Sequence, residues 1–149
     1  MRTLRLPDAL VADTNVVLSA VIGGQSSRAF GDASLRSVYG ASAVRQEILE
    51  WLPKVATKRG LDLGLRLGLL QLLPIKWIEA SDYVRHESEA RERMRSRDID
   101  DWPSVALALT LRDSRQVAIW TNDKDFQVAG LDTITTAQLL ATLDRRTRL

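Results

Sequence analysis

Two short apolar runs in this 149-residue chain end in the same way. Ala9-Leu-Val-Ala12 passes at once into Asp13-Thr14-Asn15, and Val117-Ala-Ile-Trp120 into Thr121-Asn122-Asp123. Between them, Glu47 sits in an apolar-periodic stretch, and the acidic run Asp98-Ile-Asp100-Asp101 precedes a proline. Carboxylates crowded into one cleft repel each other and remain ionised at neutral pH only with a compensating cation. An oxygen-only donor set calls for a hard ion, Mg²⁺ or Mn²⁺. Such ions activate water and neutralise charge on phosphate oxygens. The composition removes the competing chemistries: there is no cysteine and only one histidine, His86. Thiol nucleophiles, disulfides, iron-sulfur clusters and two-imidazole zinc sites are therefore excluded. Metal-assisted phosphodiester hydrolysis is the reaction these residues suit best.

The elements that must position the acids alternate between strand and helix. Residues 9–12 read as a buried strand, residues 16–22 and 27–35 as helical pieces, and 37–41 as a second strand. Ser42 is a candidate N-cap for a helix that carries Glu47 and stops at Pro53. Residues 61–73 have leucine at every second position from Leu61 to Leu69, as a half-buried strand would, but lack β-branched residues there and so favour helix. Residues 75–79 read as a strand, and Ser81 as the cap of a charged helix running to about Arg95. Pro103 suits the first turn of an apolar helix, with Asp101 at its entrance. Residues 117–120 and 133–134 complete the strands, and Thr135 is the expected N-cap of a last helix over 136–144. This alternation predicts a three-layer α/β/α fold with a central, mostly parallel sheet.

In such a sheet ligands collect outside the carboxyl ends of the strands, where Asp13 and Asp123 both fall. Strand logic leaves the approach of Asp101 open, because the preceding strand ends some twenty residues earlier, and it does not place Glu47. Each acid alone also has a bland reading as a turn residue or helix cap. His86 reads as a surface residue on a polar helix. Gly23-Gly24 lacks the Lys-Ser or Lys-Thr of a phosphate loop. An aspartate-based phosphotransferase would want Asp-x-Asp after the first strand, and the third residue here is Asn15. Of the four tryptophans, Trp77 and Trp120 lie in apolar strands and read as core. Trp51 and Trp102, beside Glu47 and Asp101, fit either packing or base stacking.

No repeat, linker or low-complexity tract divides the chain, so residues 1–149 read as one domain with a basic tail, 145–149, expected to be disordered. The formal charge is +2, and the arginines of that tail account for the excess. The N-terminus has no signal-peptide core and no apolar run is long enough to span a membrane, which points to a cytoplasmic protein without a membrane partner. The alternating arginines 91, 93, 95 and 97 lead toward Asp101, so that Arg93, Arg95 and Arg97 are candidate RNA-phosphate contacts.

Four segments together resemble a known family: Val11-Ala-Asp13-Thr-Asn-Val-Val-Leu-Ser-Ala, Glu47 in Arg45-Gln-Glu-Ile-Leu-Glu, Asp98-Ile-Asp-Asp101-Trp-Pro-Ser-Val-Ala-Leu-Ala-Leu, and Ile119-Trp-Thr-Asn-Asp123-Lys-Asp-Phe. Their order and spacing are similar to those of PIN (PilT N-terminus) domains over nearly the whole chain. The resemblance implies an acidic pocket that binds Mg²⁺ or Mn²⁺ and cleaves single-stranded RNA. It also implies that Asp13, Glu47, Asp101 and Asp123 are the site acids, with Asp100 and Asp125 as auxiliaries and Asn15 or Thr121 shaping the pocket. Many such proteins are toxins of toxin-antitoxin pairs and homodimers. The Asp-Asp-Trp-Pro motif departs from the Asp-Ala pattern of the established toxins, so the resemblance is closer to a branch outside them. The alternative function is a non-catalytic PIN-fold module that binds RNA or a partner protein. Retention of all four acids favours the enzyme, because a binder of polyanions gains nothing from clustered negative charge.

Overall fold

The computed structural model describes residues 6–147, with side chains to residue 145. Five strands form one wholly parallel sheet: β1 (Ala9–Ala12), β2 (Val38–Ala41), β3 (Ile75–Ile78), β4 (Val117–Trp120) and β5 (Thr133–Ile134), in the order β3-β2-β1-β4-β5. The chain moves outward from β1 to β3, then crosses back to lay β4 on the other side of β1. The order of strands therefore reverses between β1 and β4, which is where an open parallel sheet leaves a crevice.

Helices α1 (Thr14–Val21), α2 (Ser26–Phe30), α3 (Ser42–Arg59), α4 (Leu63–Leu72), α5 (Ala80–Tyr83), α6 (Glu87–Arg93), α7 (Trp102–Leu111) and α8 (Thr136–Thr147) surround the sheet. α7 lies against β1, β2 and β4, with α5 and α6 packed outside it. The other layer contains α1, α2 and α8, where Trp120 packs at a tilt against Phe30, ring centres 4.7 Å apart, and donates its indole N–H to Thr136. Both layers share one continuous core, and every residue of β1 is fully buried. α7 is buried all round from Pro103 to Leu109, which anchors the helix that begins at Asp101. Among the described residues, no helix is long and apolar enough to cross a membrane.

Several sequence expectations shift at their edges. Residues 63–72 are helix, capped by Asp62 through the Leu65 amide. Thr135 does cap α8: its hydroxyl accepts from the Gln138 amide while Gln138 Oε1 accepts from the Thr135 amide, a reciprocal capping box. Ser42, however, is the first residue of α3, and Ala41 occupies the cap position without a side-chain bond, because β2 runs straight into the helix. Pro53 does not stop α3. The proline removes a single donor, while the buried stripe Val44, Ile48, Leu52 and Ala56 carries packing past it. The helix ends at Gly60, whose φ of 65° closes it through bonds to the Ala56 and Thr57 carbonyls. The helix expected from Ser81 to Arg95 is instead α5, a 3-10 turn at Val84–His86 and α6, three pieces that bend round α7. His86 is half-buried there, with Nδ1 3.8 Å from Glu89. α2 stops at Phe30, short of residue 35. The tail is helical to Thr147 because α8 continues through it, and residues 148–149 lie outside the described residues. Trp77 is half-buried on edge strand β3, whereas Trp120 is fully buried.

Gly40 of β2 faces the Trp77 ring so closely that a Cβ there would lie 2.4 Å from it. Gly40→Ala is therefore expected to destabilise the protein by about 1–3 kcal/mol, the usual cost of overpacking. Urea unfolding of Gly40→Ala and of Gly40→Ala with Trp77→Leu measures this, and the second change should recover most of the loss.

Candidate active site

The ladder between β1 and β4 pairs Ala12 with Trp120, and one step further the Asp13 amide donates to the Trp120 carbonyl at 3.1 Å. Asp13 and Thr121 thus leave the sheet side by side at the reversal point. Asp13 is only 4% exposed. One carboxylate oxygen accepts from the Val16 amide at 2.9 Å, capping α1, and the other accepts from the Thr121 hydroxyl. The Thr121 hydroxyl also accepts from the Asp123 amide at 3.0 Å, and Asp123 in turn takes the Asp125 amide at 2.9 Å. A chain of short-range bonds therefore fixes the whole Thr121–Asp125 turn against Asp13.

Asp101 arrives by an excursion. From the carboxyl end of β3 the chain passes through α5 and α6 and a 3-10 turn at Ile99–Asp101 before α7 starts. It begins and ends at the same edge of the sheet, so α7 can descend toward the start of β4 with Asp101 left at its head. Asp98 caps the 3-10 turn through the Asp100 amide at 3.0 Å. Glu47 comes from the second turn of α3, which springs from the carboxyl end of β2. Asp13, Glu47, Asp100 and Asp101 line one small cleft of about 80 Å³ together with Thr14 and Ser104. Asp123 stands beside it, close enough for its charge to act on both Asp13 and Asp101.

Burial raises these carboxyls first, and their neighbours second. Desolvation lifts Asp13 to about 6 despite the bonds from Thr121 and Val16, with the charge of Asp123 adding to the rise. Asp101 is pushed up to about 7 by burial, then by Asp98, Asp13, Asp123 and Glu47. Glu47 is raised by burial, then by Asp98, Asp100 and Glu50, while the Thr14 hydroxyl opposes the shift. Among the described residues no three Asp, Glu or His side chains close around one point as a complete metal cage. The donor chemistry nevertheless suits Mg²⁺ or Mn²⁺: every ligating group is an oxygen, and a Mg²⁺ ion typically keeps several waters while resting on one or two carboxylates. The cleft's volume suits an ion with a few waters.

The sequence profile of the PIN domain family matches residues 11–144. The chain belongs to the PIN domain family. Its fold is similar to that of VapBC2 from Rickettsia felis, solved bound to a DNA fragment from its promoter, with TM-score 0.63 and 14% identity over 85% of this chain and 98% of that one. It is also similar to a toxin-antitoxin complex from Klebsiella pneumoniae (TM-score 0.58, 20% identity, 87% and 98% covered). FitAcB from Neisseria gonorrhoeae gives TM-score 0.59 at 16% identity, covering 86% of this PIN domain and 98% of its own chain. Among curated proteins, none matches this sequence.

Of the acids picked out in the sequence, Asp13, Glu47, Asp100 and Asp101 meet in the cleft, and Asp123 flanks it. Asp125 sits at the rim, 4.0 Å from Arg97. Asn15 is exposed and contributes its backbone amide to Asp13. Three participants went unassigned: Thr14, Ser104 and Asp98. Thr14 was hidden in the same tripeptide as Asp13, and Ser104 lies one helical turn past Asp101, a spacing that shares its face. Asp98 is the largest charge acting on Asp101. The arginines divide. Arg93 donates to the Ala129 carbonyl and Glu89, fastening α6 to the segment behind Asp123. Arg95 pairs with Glu92 at 3.3 Å, and Arg97 alone of the three reaches the site's edge.

Because Asp13 and Asp101 hold protons up to about pH 6 and 7 in the fold but only to about 4 when unfolded, the native state binds more protons across that window. Stability of the metal-free PIN domain should accordingly fall as pH rises from about 4 to 7. Asp101→Asn should melt higher than the parent at pH 8 in EDTA, with the difference vanishing near pH 4. Thermal scans at the two pH values check this, and an equal or lower Tm for the variant at pH 8 contradicts it.

Proposed function

We propose that this PIN domain is an endoribonuclease that hydrolyses phosphodiester bonds of single-stranded RNA with Mg²⁺ or Mn²⁺, and that it acts in the cytoplasm as the toxin of a toxin-antitoxin pair. The observation that carries the reading is the meeting of Asp13, Glu47 and Asp101 in one cleft at the strand-order reversal, with Asp123 beside it. Those four are the metal-holding acids. A divalent ion bound there would supply Lewis-acid neutralisation of a phosphate oxygen and ease deprotonation of water.

The protein's own groups prepare that chemistry. Thr121 and the Val16 amide fix both oxygens of Asp13, so it enters the cleft already oriented. The Thr14 hydroxyl lies near enough to Glu47 to oppose the rise of its carboxyl. Burial of Asp13 strengthens the charge interactions made by that carboxyl. Arg97, beside Asp125, is the arginine placed to meet a phosphate at the rim. Asp100, Asn15 and Asp125 shape the edges. The likeness to structures of toxin-antitoxin complexes supports an antitoxin partner and a homodimer for this chain.

Purified protein is expected to cut a labelled single-stranded RNA with Mg²⁺ or Mn²⁺, to spare the matching duplex, and to stop in EDTA. Asp13→Asn and Asp101→Asn should lower the rate at least about a hundredfold, as loss of a metal-site group does, with circular dichroism unchanged. No cleavage by the parent with either metal would leave the domain as a non-catalytic binding module instead.

A further inference from the structure

α3 is longer than the cleft requires. Ala43, Val44 and Glu47 line it, yet the helix continues to Arg59. At 3.6 residues per turn, positions 43, 47, 51, 54 and 58 share a stripe about 80° wide, while Ile48, Leu52 and Ala56 turn into the core. The stripe that leaves the cleft after Glu47 therefore carries Trp51, Lys54 and Lys58, all of them exposed. Trp51 is 53% exposed, and the Lys54 ammonium lies 5.8 Å from the centre of its ring. Past this point the charge along α3 is wholly positive. Arg45, Glu47 and Glu50 precede Trp51, and beyond Glu50 the charged residues of the helix are Lys54, Lys58 and Arg59.

These cations have no carboxylate partner among the described residues, in contrast to Arg91, Arg93 and Arg95, although Lys54 lies against the Trp51 ring. Among the described residues Arg91, Arg93 and Arg95 each pair with a glutamate of their own segment, whereas no carboxylate lies within 4 Å of the Lys54, Lys58 or Arg59 cationic groups. A single exposed aromatic needs no explanation by itself. An exposed indole one turn beyond a cleft acid, continued by unpaired lysines on the same stripe, is the arrangement that holds a single nucleic-acid strand: a base on an aromatic face and phosphates on cations.

We propose that Trp51, Lys54 and Lys58 form a landing track on which single-stranded RNA binds as it enters the cleft, with one base stacked on Trp51 and the flanking phosphates on the lysines. The proposal rests on the nuclease reading and adds to it the surface that selects the substrate. A duplex cannot offer a free base face to Trp51, since its bases are already stacked on one another, so the track favours single strands.

Equilibrium binding of a fluorescein-labelled single-stranded oligouridylate, measured by anisotropy in EDTA so that nothing is cut, tests the track. Trp51→Ala should weaken binding about fivefold or more, the usual loss of one base-aromatic stack, whereas Trp51→Phe keeps most of the affinity. Lys54→Ala should lower the slope of log affinity against log salt by about 0.7, one phosphate contact on a single strand. The strand should quench tryptophan fluorescence in the parent and not in Trp51→Ala. Where the parent cleaves, Trp51→Ala should raise KM and leave kcat in place. Equal affinity of Trp51→Ala and parent, or no binding by the parent, overturns the proposal. So does a change in oligomeric state of Trp51→Ala on size-exclusion chromatography with RNA affinity retained, which would make this face a protein interface. A parent that binds as described but cleaves no RNA with Mg²⁺ or Mn²⁺ defeats the nuclease reading alone, and a parent that cleaves while Trp51→Ala binds normally defeats the track alone.

Discussion

A carboxyl group held almost entirely out of water, that of Asp13, is the constraint around which this structure is arranged. Burying an ionisable acid is costly unless each oxygen is hydrogen-bonded. The fold meets that demand with two donors from different elements, the Val16 amide at the head of α1 and the Thr121 hydroxyl at the end of β4. The N-terminal dipole of α1 favours the negative form as well. These bonds do not cancel the desolvation, and the carboxyl stays raised to about 6. Asp13 therefore sits close to the point where a nearby cation or a modest change of pH decides its charge.

The same bonds explain why β1 and β4 must be neighbours. Thr121 touches Asp13 only because the β1–β4 register is Ala12 opposite Trp120, and a slip of one strand by one residue would turn its side chain to the other face of the sheet, away from its partner. That register is held by burial. Ala9–Ala12 and Ala118–Trp120 are closed off on both faces, by α7 on one and by α1, α2 and α8 on the other. α7 in turn is apolar all round, which fixes it in the core and leaves Asp101 at its head with little freedom to retreat. The repulsion among Asp13, Glu47 and Asp101 is thus built in by packing elsewhere, and the interior packing supplies the free energy that holds them together.

Charge is segregated outside the cleft in a way net charge does not reveal. Arg91, Arg93 and Arg95 are absorbed by Glu87, Glu89 and Glu92, and Arg93 serves chiefly to clamp the turn behind Asp123. Lys54, Lys58 and Arg59 on the far half of α3, by contrast, have no carboxylate within 4 Å among the described residues. A helix that gives Glu47 to the cleft near one end and carries Lys54, Lys58 and Arg59 toward the other gives an approaching polyanion an attractive surface next to a repulsive pocket, so encounter and chemistry are assigned to different ends of one element.

Local chemistry wrote much of this into the sequence. The two apolar tetrapeptides stopping at polar turns, the acids beside them, the Thr135 cap and the apolar run of α7 depend on neighbours a few residues away, and each is found where the pattern put it. Helix edges were less legible. Pro53 breaks a helix by local rules, yet the buried stripe of α3 overrides it, and the segment from residue 80 to 93 bends because α7 lies beneath it. The convergence of Glu47 and Asp101 on Asp13 was implied by family resemblance and by no periodicity, since it depends on strand order and on an excursion that leaves and re-enters one edge of the sheet. Which cations are free was equally invisible: alternating arginines look available in one dimension, and only the fold shows which have a carboxylate one turn away and which, on α3, have none. Sequence determines what each side chain can do and what its near neighbours favour; contacts between residues far apart in the chain, which only the tertiary structure creates, decide which of those capacities are spent on the fold and which remain for a ligand.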